Sequence, residues 1–463
     1  MASCEFSRME KEMKRSRIAL SVLLALGISP QAGAADLLDI YHAAQSQDAV
    51  FASARASRQA GQEKLTQGRA LLLPSVNLNA NTTHNDITTD YPPISVPGFG
   101  SGLSTLFPTN QKYNSHGYGA TVTQPLFREQ NWAAYNQSEL QVAISEAQFK
   151  LAEQDVILRS AQTYFDVLIA QDTVQLNAAQ KTAISQQLEQ AKRNFEVGTA
   201  TITDTYEAQA RYDLIVSQEL EAANNLEIKR RTLQQLVNAN VSDLNVLGNA
   251  FKMENPEPAD VQKWVDYAQH GNYQIIQAQA AYELAEKEVD RNRGGHLPTV
   301  DLVANYNKNT NVGAGGLTPL DSRTTTVGIQ LNLPLFQGGA TQSKWREAEA
   351  NREKAKQDLE NTRRNVELQT RQAYLGVANG IAQVQALQQA LKSSESLLEA
   401  SKLGQQVGVR TSLDVLNAQQ QLYSTRRDLY QAQYNYLVSQ LRLKAAAGTL
   451  DEADLGRVNM ALH

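Results

Sequence analysis

The chain has 463 residues, 42% of them hydrophobic and 20% charged, with a formal net charge of −5. A mean hydropathy of −0.43 excludes a multi-helix membrane protein, and no basic stripe is present for nucleic acid. The six histidines lack metal-ligand spacing and no catalytic constellation emerges, so the sequence reads as neither an enzyme nor a holder of cofactors or metals.

The first element is IALSVLLALGI (18–28), an apolar run too short to cross a bilayer as a helix. Lys14, Arg15 and Arg17 precede it, and Ala32-Gly33-Ala34 follows as a small-x-small cleavage pattern. Residues 1–34 therefore read as a secretory signal peptide, with the mature chain expected to start at Ala35 and Met13 as an alternative translational start. Removing it takes away five basic and three acidic side chains and leaves a mildly acidic net charge of −7. Cys4, the sole cysteine, leaves with it, and a cysteine-free mature chain suits an oxidising compartment.

Most of the remainder is rich in Gln, Ala and Glu at helical spacing; Leu140, Ile144, Ala147 and Leu151 mark one stripe. The pattern predicts helices over 36–72, 128–197 and 203–238, then over 259–293, 341–406 and 412–447. In each half one long helix equals the two shorter ones laid end to end, and at 1.5 Å per residue it reaches roughly 100 Å. That is a rod, not a globule.

Between the helices the period changes to two. Val76, Leu78 and Ala80 alternate with Asn77, Asn79 and Asn81, and Tyr118, Ala120 and Val122 with Gly119, Thr121 and Thr123. In the second half Val300, Leu302, Ala304 and Tyr306 alternate with Asp301, Asn305 and Asn307, and Val327, Ile329 and Leu331 with Gly328, Gln330 and Asn332. Loops rich in Gly, Pro and Asn separate the members of each pair, at 91–102 and 313–319, so two β-hairpins are expected. Pro74, Pro125, Pro298 and Pro334 are expected where strand meets helix.

The halves are copies. VGVRTSLDVLNAQ (407–419) repeats VGTATITDTYEAQ (197–209) at six of thirteen positions, 210 residues apart. LPTVDL (297–302) repeats LPSVNL (73–78) at a register of 224. The expected division is a signal peptide at 1–34, a first repeat at 35–247 with its hairpin at 75–126, and a linker at 248–258. A second repeat at 259–447, with its hairpin at 299–335, and a tail at 448–463 complete it.

One apolar and one uncharged polar face suit a transmembrane barrel, apolar to lipid and polar to a lumen. Four strands leave open edges that hydrocarbon does not tolerate, so several chains must close the sheet. Eight strands enclose roughly 16 Å of backbone diameter and twelve roughly 24 Å, so a conduit favours three chains. The competing reading is a periplasmic coiled-coil scaffold or adaptor without a channel, its hairpins packed on its own helices.

GGHLPTVDL (294–302), LPLFQGG (333–339), VGVRTSLDVLNAQQQLY (407–423) and YNYLVSQLRLKAAAGTL (434–450) resemble the TolC family of trimeric outer-membrane channels of Gram-negative bacteria. The resemblance runs in order from Asp36 to the C-terminus. It implies a mainly α fold with a twelve-stranded β-barrel shared by three chains, a periplasmic α-helical barrel, and an equatorial domain from the linker and the tail. It also implies a passive exit duct for multidrug efflux and type I protein secretion. The implied partners are two further copies, outer-membrane lipid, a periplasmic adaptor (membrane fusion) protein and an inner-membrane pump of RND, ABC or MFS type.

Gly198 and Gly408 fall where helices reverse, and Thr201-x-x-Asp204 and Thr411-x-x-Asp414 fit the capping box that opens the next helix. Capping alone accounts for both aspartates. The resemblance adds an acidic ring of Asp414 at a closed periplasmic aperture, and an Arg410 that ties neighbouring helical hairpins by reaching toward Thr203 and Asp204. It also makes the turns at Gly198 and Gly408 the adaptor-contacting tips. Two departures stand out: Gln405 replaces the family's linking tyrosine, and Asn417 replaces its second aperture aspartate. Weaker binding of multivalent cations and a less firmly shut resting state are expected.

Overall fold

The computed structural model describes residues 35–88, 110–241, 243–248, 252–312 and 320–462; the signal segment and the loops at 91–102 and 313–319 lie outside them. In place of one helix over 36–72 stand α1 (Leu37–Gln47) and α2 (Ala49–Ala70). Asp48 makes the break: its backbone is extended, and its carboxylate accepts from the Val50 and Phe51 N–H groups as the cap of α2. Arg159 holds the same carboxylate at 2.6 Å. After the first hairpin, β1 (Ser75–Thr88) and β2 (Asn110–Phe127), come α3 (Glu129–Glu196) and α4 (Ile202–Val237).

The second half repeats this, with a second break. Helix α5 (Val261–Gly271) stops at Asn272, which caps α6 (Tyr273–Arg293) by accepting from the Gln274 N–H and donates to the Ala446 carbonyl at 2.8 Å. Asp48 and Asn272 lie 224 residues apart, the register of the LPSVNL/LPTVDL pair, so the duplication preserved a cap that helical periodicity does not reveal. Strands β3 (Thr299–Val312) and β4 (Leu320–Asn332) follow, then α7 (Ala340–Gln406), α8 (Ser412–Ala446) and a short α9 (Glu452–Asn459) absent from the expectation.

Helix α3 has 68 residues, about 100 Å, and packs along α2, α4 and α6; α7 packs along α5, α6 and α8. The main core lies part-way along these rods. Val156, Tyr164, Phe165 and Leu168 of α3 meet Leu233 and Val237 of α4, Tyr436, Leu437 and Leu441 of α8, and Leu37, Ile40 and Leu455 from α1 and α9. Each such side chain contributes about 1.5–3 kcal/mol on burial. Non-helical chain crosses here: Leu244 bridges Ala35, Leu247 bridges Leu462, and the Tyr164 hydroxyl donates to the Asn245 carbonyl at 2.7 Å.

The four strands form one antiparallel sheet in the order β1-β2-β3-β4. Val76, Val122, Ala304 and Val327 fall in one row across it, and Asn77, Thr121, Asn305 and Thr326 in the next, so the sheet has an apolar and a polar face. Val76, Leu78, Val327, Ile329 and Leu331 are 66–80% exposed, which removes the arrangement with hairpins packed on the chain's own helices. Pro125 corrects the expectation for the prolines. It lies inside β2, where the register with β3 slips between Pro125 and Phe127, an irregularity that tolerates a missing N–H. Among the described residues no helix is long and apolar enough to cross a membrane.

Candidate functional site

The two reversals at the far end of the rods are built alike. After α3, Gly198 takes φ +77° and the Thr199 N–H bonds back to the Asn194 carbonyl at 2.8 Å. After α7, Gly408 takes φ +78° and the Val409 N–H bonds to the Gly404 carbonyl at 2.9 Å. A Cβ at either glycine would meet nothing within 4 Å, so glycine is there for its left-handed backbone alone. Around these turns Val197, Val407 and Val409 are 65–77% exposed.

Both capping boxes form. Thr411 donates its N–H (2.8 Å) and hydroxyl (2.9 Å) to Asp414 Oδ2, and Thr411 Oγ1 accepts from the Asp414 N–H at 3.2 Å. Thr201 and Asp204 repeat this at 2.9, 2.8 and 3.3 Å. The bonds from the Thr411 backbone and hydroxyl, with the Arg410 charge beside them, hold the Asp414 carboxyl below its ordinary range. Asp414 thus caps α8 and stays ionised, and one role does not displace the other.

The polar links around the tips within one chain are as follows. Within the chain, Arg410 meets Asp414 at 3.6 Å rather than Thr203 or Asp204, and Gln405 donates to the Ser412 hydroxyl at 2.9 Å. Gly404 permits the Arg410 pose, since a Cβ there would stand 2.7 Å from Arg410 Cγ. Within the chain the two hairpins are joined by Arg211 of α4. It donates to Gln420 Oε1 at 2.7 Å and to Asn417 Oδ1 at 3.0 Å, both on α8. Beneath it Leu416, 3% exposed, inserts among Ile184, Leu188 and Ile215 of the first hairpin.

Asn417 therefore has a partner, which its neutrality alone did not reveal. Sequence reading missed Arg211, Leu416 and Gly404. For Leu416 an apolar residue just past the first turn of a polar tip was a usable signal; Arg211 gave none, because its acceptors lie 206 and 209 residues away.

The family model described as "Outer membrane efflux protein" matches residues 40–239 and 264–449. The chain is 32% identical over 456 residues to Outer membrane protein TolC of Escherichia coli strain K12, covering 96% of this chain and 89% of that protein. It is 33% identical over 449 residues to the alkaline protease secretion protein AprF of Pseudomonas aeruginosa, covering 96% and 90%. Among solved structures, the Campylobacter jejuni CmeC outer membrane channel superposes with a TM-score of 0.76 at 17% identity, over 92% of this chain and 89% of that one. The outer membrane protein VceC of Vibrio cholerae gives 0.74 at 18%, over 89% and 96%.

Proposed function

The chain belongs to the outer membrane efflux protein family, and from that premise we infer that it is a passive outer-membrane exit duct for small-molecule efflux and type I protein secretion. The single observation that carries the reading is the sheet. Its apolar face is bare, its polar face of Asn, Thr and Gly near the helices is largely uncharged, and its outer strands β1 and β4 each pair on one side. Hydrocarbon accepts such a sheet only when copies close it, and three copies give a twelve-stranded barrel of about 24 Å backbone diameter with an open lumen. The long helices then extend into the periplasm as a hollow bundle. In this reading the repeats are 35–247 and 259–447, and the described residues of the linker (248 and 252–258) and of the tail (448–462) make a girdle, which the bridge between Leu247 and Leu462 supports.

Three copies of Asp414 ring the narrow periplasmic end and attract cations, while Asn417 adds no charge. The contacts of Arg410 and Gln405 inside one tip, and of Arg211 between hairpins, bias the shut state. Arg410 is also free to reach Thr203 and Asp204 of a neighbouring copy. The exposed valines beside Gly198 and Gly408 supply apolar purchase for a periplasmic adaptor, which couples the duct to an inner-membrane pump of RND, ABC or MFS type and loosens the inner hairpins. The relatives named for protease secretion support a secretion role beside efflux.

The test is the purified mature protein in mild detergent. A trimer mass and step-like ion conductance in planar bilayers are expected; a monomer without conductance overturns the duct.

A further inference from the structure

The apolar face of the sheet ends in a pair of cations that forms no ion pair among the described residues. Along β3 that face presents Val300, Leu302, Ala304, Tyr306 and Lys308; along β4, from the same end, it presents Leu331, Ile329, Val327, Thr325 and Arg323. Lys308 and Arg323 stand directly opposite one another. Like charges so placed in adjacent strands repel, at Cβ separations of about 5 Å. Among the described residues neither forms an ion pair, although Asp321 stands two positions beyond Arg323 on the same face, opposite Thr310. On the neighbouring strands of the same face, Lys112 is neutralised by Asp86 at 2.9 Å, so an unneutralised pair is not the rule for this surface.

Two aromatic rings adjoin the cations: Tyr118 stands opposite Lys308 in the same cross-strand row, and Tyr306 lies one step nearer the helices. Tyr118 and Tyr306 approach with centroids 6.5 Å apart, and Lys308 Nζ sits 6.0 Å from the Tyr118 ring. From the helix end outward the order is aliphatic band, Tyr306, then a row of Tyr118, Lys308 and Arg323. That order matches acyl chains, the interfacial layer and the headgroup layer of a membrane leaflet. The cations stand toward the hairpin loops and away from the helices, which places them in the outer leaflet.

We propose that Lys308 and Arg323, beside Tyr118 and above Tyr306, form a binding site for the phosphate of an anionic outer-leaflet lipid whose acyl chains lie on Leu302, Ala304, Val327 and Ile329. The proposal rests on the barrel reading, and the closed trimer carries three such sites on its lipid-facing wall. A phosphate between the two cations turns their repulsion into attraction, and the tyrosines fix its depth. Each cation near an anionic surface strengthens binding about fivefold, so the pair gives about 30-fold.

The experiment is native mass spectrometry of the detergent-solubilised trimer with three separate probes: bis-phosphorylated lipid A, its dephosphorylated form, and phosphatidylcholine. Up to three copies of the phosphorylated lipid are expected to stay bound, with the other two lost. K308Q with R323Q is expected to weaken retention about 30-fold. Equal retention of the dephosphorylated lipid, or undiminished retention by the double variant, overturns the site. Displacement of the lipid by millimolar inorganic phosphate makes it a free-anion site and overturns the lipid assignment. A double variant less stable as a trimer in lipid-free detergent assigns the cations to subunit contacts instead. Trimer mass and conductance of the unaltered protein are read in the same preparation, so failure of the barrel is told apart from failure of the lipid site.

Discussion

Arg211 on the first helical hairpin donates a hydrogen bond to Asn417 on the second, at 3.0 Å, and its other terminal nitrogen donates to Gln420 at 2.7 Å. The link crosses between two rods that share little other contact through α4 and α8, and it covers the buried Leu416. Any movement of the inner hairpin away from the outer one must break it.

Replacing Arg211 with alanine is therefore expected to raise resting conductance. Each link is partly hydrated and worth about 0.5–1 kcal/mol, so three per trimer shift the shut-to-open ratio by about 10- to 150-fold. The reverse change is expected for Asn417→Asp, which gives Arg211 a charged acceptor and tightens closure. Single-channel recording in planar bilayers checks both. Unchanged conductance in both variants removes the link from gating.

Asp414 carries the pH dependence. Its carboxyl is held below the ordinary range, chiefly by the Thr411 backbone and hydroxyl, so its charge persists above its unfolded value and is lost only as pH falls through the lowered one. Block of the duct by multivalent cations is expected to survive from neutral pH into the acid range where an ordinary aspartate has already lost its charge, then to fade. Asp414→Asn is expected to abolish block at every pH; block that persists in this variant takes Asp414 out of the ring.

Arg410→Ser tests the neighbouring contact. Its 3.6 Å pairing with an exposed carboxylate is weak within one chain. Unchanged resting conductance would leave Arg410 without a latching role in the trimer as well.

The junction of barrel and rods rests on Arg128, which grips Asp301 with two hydrogen bonds of 2.8 and 2.5 Å. The carboxylate is 9% exposed and the guanidinium 39%, so solvent screens the pair only in part. Asp301→Ala is expected to destabilise by about 1–3 kcal/mol by stranding the arginine. Thermal dissociation of the trimer, followed on gels, reads the loss; a midpoint equal to that of the parent refutes the junction role.

Gly448 ends α8 with φ +76°, and a Cβ there would stand 2.1 Å from the Gly271 carbonyl oxygen. Gly448→Ala is expected to cost more than the roughly 1 kcal/mol of an ordinary left-handed glycine replacement, because rigid backbone must also move. Chemical denaturation of the two proteins side by side measures it.

The sequence by itself determined the duplication, the two periods and the caps, because each is written by residues within a few positions of one another. Thr411 and Asp414 name their own partnership, and Val76 to Ala80 name their own two faces. Gly198 and Gly408 announce their turns in the same way. The breaks at Asp48 and Asn272 were local too, yet unread, since a polar cap inside a long helical pattern looks like one more exposed position. Helix α9 is a single short element whose core residue Leu455 has meaning only against α1. Tertiary structure alone decided that Arg211 meets Asn417, that Gly404 gives way to Arg410, and that Lys308 stands between Tyr118 and Arg323. Those choices depend on the registers and crossings of elements far apart in the chain, which local propensity does not encode.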